Sequence, residues 1–363
     1  MPELRSDLLS GANVIFAPRR NSRPDEFIGV AQRLPDAICP FCGGHENQTP
    51  PGLLTLKNPD SANDWDVRVV NNLYPFLNID DPATDNDDGP SSTEAAVVAQ
   101  RRTLAHGVHE VTIESNRHVA SLTEMPKGDV GLVMLAYHRR ITAMRTSGQI
   151  HCPIVFKNCR RSAGASVEHA HSQIVGLRSV PARIRDELDA MLRFQQRYGH
   201  CALCVALRLP SPRLPDSLSS QRWSIVDEDD NWLAACPWAS RFPFEIWIAA
   251  REHRADFDAQ PESSLQSLGE FLQRQLSRLE RRLPQAAYNL VLHTAPFAPP
   301  EIATGFDIHP YDHYHWHIEI LPRVATLAGF EMGTGIFVNS VLPEDAATQL
   351  REIFPSSDEN WVR

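Results

Sequence analysis

Four groups of residues in this 363-residue chain have types and spacings suited to chemistry. Cys39 and Cys42 form one C-x-x-C pair, and Cys201 and Cys204 form a second. His169 and His171 flank a single alanine, and His315 and His317 flank Trp316. Zinc prefers tetrahedral thiolate and imidazole ligands, and C-x-x-C places two sulfurs on one side of an ion. A closed site needs two more ligands. The order of features supplies them twice: His118 and His169 for Cys39/Cys42, and His253 and His315 for Cys201/Cys204. Two zinc ions per chain is the expectation. Two cysteines on a turn can also simply pack, and a redox pair would need a thioredoxin-like β-α-β context that is missing here.

On a strand, residues i and i+2 share a face about 6–7 Å apart. One imidazole of His169/His171 can then ligate a metal while its neighbour serves as a second ligand or a free nucleophile. A pair of hydrogen-bonded interior histidines is the bland alternative. Gln173 continues the same face and can donate to an anion. Ser166 ends a small-residue run from Ala163, a loop type that lets a ligand come close. Arg19, Arg20 and Arg23 form a basic run near the N-terminus. Guanidinium groups bind phosphate through bidentate, charge-assisted hydrogen bonds; a solvated turn before Pro24 is the other reading. Neither a Walker A motif nor a G-x-G-x-x-G fingerprint occurs, which disfavours P-loop and Rossmann chemistry.

The elements that must position these groups also occur twice. In the first half a strand-like run starts at Val108 and ends near His118. A helical stretch from Met125 to Ser147, an apolar strand from Ile154 and a strand carrying His169 and His171 follow. In the second half a strand from Phe244 ends near His253. A helix, a strand from Tyr288 and a strand carrying His315 and His317 follow. In that helix Leu265, Leu268, Leu272, Leu276, Leu279 and Leu283 fall on one face, with Ser263 or Ser264 as cap. Between the halves, Pro181 to Gly199 reads as a helix with Ile184, Leu188, Met191 and Leu192 on one face. The stretch Asp80 to Glu94 is acidic with Pro, Gly and Ser, and Leu209 to Gln221 reads as a second long loop. The pattern predicts an α+β fold of two half-units, residues 1–180 and 181–363, each a mostly antiparallel sheet with packed helices.

Composition narrows the function classes. Hydrophobic residues make up 42% and charged residues 22%, the balance of a globular protein. The net charge of −10 argues against broad nucleic-acid binding, which needs a basic surface. No run approaches the ~18 apolar residues of a membrane span. The N-terminus has no apolar stretch behind a basic start, so a cytoplasmic location with reduced thiols is expected. The seven cysteines are an odd count for a disulfide framework.

Taken together, APRRNSRP, CPFC, VVNNLYPFL, ESNRH, VFKN, AGASVEHAHSQI, LHTAP, HWHIEILP and AGFEMGTG give a sequence that resembles the galactose-1-phosphate uridylyltransferase family. That family lies within the histidine-triad-like nucleotidyltransferases, and the resemblance spans almost the whole chain. It implies a two-step reaction in galactose metabolism. A histidine takes a nucleotidyl group from a sugar nucleotide and passes it to a hexose 1-phosphate. It further implies His171 as nucleophile, His169 as metal ligand, and Gln173 and Ser166 as phosphate-binding groups. Asn72 falls on the nucleoside side, Asn158 before the active-site loop, and Arg20 and Arg23 near the diphosphate. Glu331, and more loosely Phe330 and Asn339, match the segment that holds the hexose. A homodimer follows by family analogy.

The chain departs from the family pattern at several points. Ser172 stands where glycine usually follows the nucleophile, and Leu73 follows Asn72 where uridylyltransferases carry aspartate. Cys201/Cys204 suggest a second zinc site, whereas bacterial members use a glutamate and histidines that His293 and His317 match. The bulk of the match favours uridylyl transfer from a UDP-hexose as the main reading, while Leu73 and the second cysteine pair pull toward the adenylyl-transferring, ADP-glucose phosphorylase-type branch, so turnover of both UDP- and ADP-hexoses is expected. A dinucleoside polyphosphate hydrolase or phosphorylase using the same nucleophile, and a non-catalytic zinc-stabilised binding protein, are the other readings.

Overall fold

The element series that occurs twice in the sequence folds into one sheet rather than two. A computed structural model describes residues 3–7, 13–16, 39–77, 105–207, 223–297 and 310–354. The acidic stretch Asp80 to Glu94, the loop Leu209 to Gln221, and Arg19, Arg20 and Arg23 lie outside the described residues. The first-half strands are β1 Glu3–Ser6, β2 Asn13–Phe16, β3 Gly52–Leu56, β4 Val67–Asn71, β5 Gly107–Ile113, β6 Cys152–Cys159 and β7 His171–Leu177. Those of the second half are β8 Ser224–Glu228, β9 Trp232–Cys236, β10 Ile246–Ala250, β11 Tyr288–His293, β12 His317–Pro322 and β13 Phe337–Asn339. The helices are α1 Asp129–Ser147, α2 Ala182–Tyr198, α3 Ala202–Ala206, α4 Glu262–Arg282, α5 Gly329–Thr334 and α6 Pro343–Ile353.

Ten strands run in the order β3-β4-β5-β7-β6-β11-β12-β10-β9-β8. The order reads outward from its centre as the same series in both directions. The halves meet where β6 pairs antiparallel with β11, Cys159 opposite Tyr288 and Asn158 opposite Asn289. The expected pair of small sheets is thus fused edge to edge, which leaves neither central strand with an unpaired edge. A separate three-stranded sheet joins β1 and β2 to β13. β1 and β2 therefore lie with the second half, although in sequence they precede the first.

Strand alternation decides what covers each face. In β9, Trp232, Ala234 and Cys236 enter the main core, while Leu233 and Ala235 point the other way. The main core lies under α1 and α4, with Val133, Met134, Leu268, Leu272 and Leu276 at 0% exposure. On the opposite face α2 and α3 cover the second half with Leu188, Met191, Phe194 and Leu203. The first half has no such helical cover among the described residues. There only Phe41, Trp65, Val70, Val111 and Ile113 cluster. Among the described residues, no helix covers the face that carries His171 and Gln173.

Two boundaries differ from expectation. His169 and His315 lie just before their strands, which begin at His171 and His317. α4 begins at Glu262 behind Pro261, so Ser263 and Ser264 fall inside its first turn. Among the described residues, no helix is long and apolar enough to cross a membrane.

α1 and α4 cross with their backbones in contact. A Cβ on Gly269 would come within 2.6 Å of Gly131 Cα, closer than packed atoms tolerate. Because this crossing joins the two halves, Gly269→Ala is expected to destabilise by the upper end of the about 1–3 kcal/mol that overpacking costs. Denaturant unfolding measures it, and an unchanged midpoint would show that the helices can separate without cost.

Candidate active site and metal centres

The turn at Cys39–Cys42 precedes β3, and Gly43 N donates to Asn116 O at 2.8 Å, which holds the first cysteine pair beside His118 and His169. Cys39, Cys42, His118 and His169 each offer a ligand atom, all within 4.8 Å of one another. Cys39 Sγ lies 3.5 Å from His169 Nδ1, Cys42 Sγ 3.5 Å from His118 Nδ1 and 3.7 Å from His169 Nδ1. A zinc tetrahedron with Zn–S about 2.3 Å and Zn–N about 2.0–2.1 Å has an S···N edge of about 3.5 Å, so the set fits that ion. His169 Nε2 donates to Ser115 O at 2.8 Å, which fixes its tautomer and leaves Nδ1 free to ligate. Burial, with Cys39 alongside, pushes the Cys42 thiol up to about 11.

The second half repeats the arrangement. Cys201, Cys204, His253 and His315 form the matching group. Cys204 Sγ is 3.4 Å from Nδ1 of both His253 and His315. His253 Nε2 donates to Asp312 O at 2.8 Å, as His169 does to Ser115. The neighbouring Cys204 thiol, and then the His253 and His315 rings, hold Cys201 well below an ordinary thiol.

His171 is 7% exposed, and its Nδ1 lies 2.6 Å from the backbone oxygen of His169. A carbonyl only accepts, so Nδ1 carries the proton and Nε2 keeps its lone pair. Burial holds this imidazole below its ordinary value, so it is neutral at pH 7. Phe41 packs against the ring at 5.4 Å between centroids. The free nitrogen is thus a neutral nucleophile on a strand whose start is tied to the Cys/His set.

Behind the strand lies a polar network that sequence reasoning missed. Lys157 Nζ donates to Glu114 Oε2 at 2.5 Å and to His171 O at 3.2 Å. The Tyr137 hydroxyl donates to Glu114 Oε1 at 3.0 Å and lies 2.8 Å from Ser172 Oγ. Here is the reason for serine after the nucleophile: its hydroxyl joins a fully buried network. Only β-strand alternation hinted at it, by placing charged Glu114 and Lys157 on the core face.

The other sequence candidates divide. Gln173 Oε1 sits 2.7 Å from His109 Nε2, and Asn72 Nδ2 sits 2.9 Å from the same nitrogen, so both belong to one cluster beside His171. Asn158 Oδ1 accepts from Asn289 Nδ2, which also donates to Ala163 O, both at 2.8 Å. Asn289, another residue the sequence did not flag, thereby pins the loop that ends in Ser166. Ser166 itself is exposed on that loop. Phe330 is 48% exposed and Glu331 caps its own short helix α5 by accepting from Ala328 N. Among the described residues, no hydrogen bond or ion pair joins α5 to β7. Asn339 is fully buried; its amide donates to Ser240 O and accepts from Val341 N, so it is engaged inside the protein and not turned to a ligand.

A third group, Glu187, His293 and His317, also meets the distance requirement for a metal. His317 Nδ1 donates to His315 O at 3.0 Å, the same bond that His171 makes. Its ring, however, stacks on Trp247 at 4.3 Å and on His293 at 4.6 Å, and it is fully buried. His293 lies 3.4 Å from Glu187 and 3.3 Å from Glu319, while Arg241 pairs with Glu319 at 2.7 Å and Glu245 at 2.9 Å. Burial alone would lower His293, but Glu319 and Glu187 raise it to about 10. Arg241 and His293 thus sit among three carboxylates, Glu187, Glu245 and Glu319.

An H-x-H turn beside a Cys2His2 set, on an antiparallel sheet built twice, defines the histidine-triad-like nucleotidyltransferases. A profile described as "Galactose-1-phosphate uridyl transferase, N-terminal domain" matches residues 3–181. The chain is 33% identical to an ADP-glucose phosphorylase from Arabidopsis thaliana, over 97% of this chain and 93% of that one. It is 25% identical to a galactose-1-phosphate uridylyltransferase from Thermotoga maritima, over 97% of this chain and 98% of that one. The crystal structure of an Arabidopsis thaliana ADP-glucose phosphorylase with bound ADP-glucose superposes with a TM-score of 0.77 at 30% identity, covering 98% of this chain and all of that one. The chain belongs to the galactose-1-phosphate uridylyltransferase family.

The ion pair behind the nucleophile yields a stability test. Lys157 and Glu114 are 1% and 0% exposed, and removing one partner of such a pair costs about 3–5 kcal/mol. Lys157→Met is expected to lose that much in denaturant unfolding, and adding Glu114→Gln to restore most of it. A double variant no better than the single one would mean that packing, not the buried charge, sets the loss.

Proposed function

We propose that this protein transfers an adenylyl group from an ADP-hexose, through a covalent nucleotidyl-His171, to phosphate or a sugar phosphate. The observation that carries the reading is the tautomer of His171, with Nδ1–H held by the His169 carbonyl and Nε2 left as the attacking lone pair. Nε2 attacks the α-phosphorus. The bond to the bridging oxygen breaks, and hexose 1-phosphate leaves with that oxygen. An acceptor phosphate oxygen then attacks the same phosphorus, the N–P bond breaks, and the nucleotide departs while His171 returns to its neutral form. Two half-reactions through a covalent intermediate give ping-pong kinetics. Gln173, Ser166, Arg20 and Arg23 are the proposed donors to the phosphoryl oxygens, where charge develops. Asn72 and Asn158 line the nucleotide side, and Phe330 and Glu331 the hexose side.

Two features favour adenylyl over uridylyl transfer. The similarity to the ADP-glucose phosphorylase is higher than that to the Thermotoga uridylyltransferase. Leu73, 59% exposed, presents an apolar side chain after Asn72 that cannot accept a hydrogen bond from a base. Zinc held by Cys39, Cys42, His118 and His169, and by Cys201, Cys204, His253 and His315, would supply rigidity rather than Lewis acidity. A structural ion of this kind is worth about 10–16 kcal/mol in small finger peptides.

Two measurements test the reading. His171→Asn is expected to keep about two zinc per chain and lose the covalent adduct, whereas His169→Asn should lose about one zinc and stability. Elemental analysis and intact mass read both; an adduct on the His171 variant overturns the nucleophile. Separately, incubation with ADP-glucose is expected to add an adenylyl mass, faster than UDP-glucose adds a uridylyl mass. Labelling by UDP-glucose alone, with ADP-glucose inert at millimolar concentration, restores the uridylyltransferase reading.

A further inference from the structure

His109 lies on β5 on the same side of the sheet as His171, since Ile113 pairs with His171 and Val111 with Gln173. It is 6% exposed and touches three groups. Its Nε2 is 2.7 Å from Gln173 Oε1 and 2.9 Å from Asn72 Nδ2, and its Nδ1 is 3.4 Å from the Phe76 backbone N. Phe76 also packs on the ring, with centroids 4.1 Å apart.

Two of the three polar contacts agree on one assignment of the ring. The Phe76 N–H can only donate, so Nδ1 must be the acceptor, and a neutral ring then carries its proton on Nε2. Burial lowers the affinity of this ring for a second proton. Nε2–H donates to Gln173 Oε1, which turns the Gln173 amide –NH2 away from His109 and toward the face shared with His171. Asn72 cannot rotate to accept from the ring, because its Oδ1 already accepts from Tyr74 N at 2.9 Å. Its –NH2 therefore opposes Nε2–H, donor to donor, and this contact must lengthen for the assignment to hold. The opposite tautomer would set Nδ1–H against the Phe76 N–H and flip Gln173 to show its oxygen to a phosphate. The ring's tautomer and the orientation of the Gln173 amide are one choice.

The second half differs at the matching place. Glu319 stands two residues after His317, as Gln173 stands after His171, and Arg241 holds it by an ion pair at 2.7 Å. Both halves thus restrain the side chain two residues after the second histidine, but only the first leaves a neutral amide donor there.

We propose that His109 is a positioning residue for nucleotidyl transfer, locking the Gln173 amide so that its –NH2 faces the phosphoryl oxygen of the reacting nucleotide. The inference rests on the proposed role of Gln173 as phosphoryl donor. It places His109 outside contact with the reacting atoms, so its effect belongs to the rate of the chemical step and not to the grip on substrate.

The experiment is single-turnover labelling with ADP-glucose by rapid-quench intact mass, on the full chain. His109→Phe keeps a flat ring but has no N–H; a misplaced donor is expected to lower the saturating rate by roughly 10- to 100-fold. The half-saturating concentration should move less than about threefold, since the donor acts mainly in the transition state. His109→Gln, whose amide can donate to the same oxygen, should recover most of the rate. An ionised glutamate has no proton to offer, so His109→Glu, compared with His109→Gln at about pH 9, should stay slow. This Gln/Glu pair decides the matter if the Phe variant does not fold. His109→Phe combined with Gln173→Ala should be no slower than Gln173→Ala alone. Independent, multiplying losses, or equal rates for the Gln and Glu variants, overturn the positioning role. Full activity of Gln173→Ala instead overturns the role of Gln173 itself, a result that His109 variants cannot mimic.

Discussion

One short hydrogen bond decides what this site can do: the bond from His171 Nδ1 to the carbonyl of His169, 2.6 Å long. It selects the tautomer, and with it the nitrogen that can attack. A backbone carbonyl is a reliable partner only if the backbone cannot move. The His169 side chain provides that rigidity, caught between Cys39 and Cys42 on one side and the Ser115 carbonyl on the other. From below, Lys157 grips the carbonyl of His171 itself at 3.2 Å. The Cys/His set therefore bears on the tautomer of His171 through the backbone.

The duplicated half shows that this bond is necessary but not sufficient. His317 makes the same contact to His315, behind a Cys/His set of the same composition. What differs is the cover. Trp247 lies flat against the His317 ring, whereas Val111 occupies the matching strand position in the first half, opposite Gln173 as Trp247 is opposite Glu319. With α2 and α3 closing the same face, His317 has no room for a phosphate. Burial drives its ring down to about 4, leaving it neutral and sequestered. Among the described residues, one copy lacks the tryptophan and helical cover that fills the other.

Much of this was legible in the residues. The cysteine pairs, the histidines that complete them and the order of strands and helices come from types and spacing, which local chemistry dictates. Sheet register does not. No spacing rule told that β6 would pair with β11 to fuse the halves, or that β2 would pair with β13. The same gap hid His109, Asn289 and the Lys157–Glu114–Tyr137 network, since each acquires meaning only from partners on neighbouring strands. Asn339 shows the reverse error: a polar residue in a matching segment whose hydrogen bonds are used up indoors. Arg20 and Arg23 fall outside the described residues, so their match rests on sequence alone.

The fused sheet also gives the closed half a function. Asn289 sits on β11, a second-half strand, yet it donates both to Asn158 and to the Ala163 carbonyl at the base of the first-half loop. That loop is sharply bent, with Arg160 at φ 70° and Gly164 at φ 96°, both in the left-handed region where a side chain is disfavoured. Such a bend persists only if its surroundings hold it. β11 is held in turn by β12, whose first residue follows the second Cys/His set. A path of pairings therefore runs from Cys201 and Cys204 through β12 and β11 to the loop beside His171. The strand order thereby makes the second half the wall against which this loop is braced.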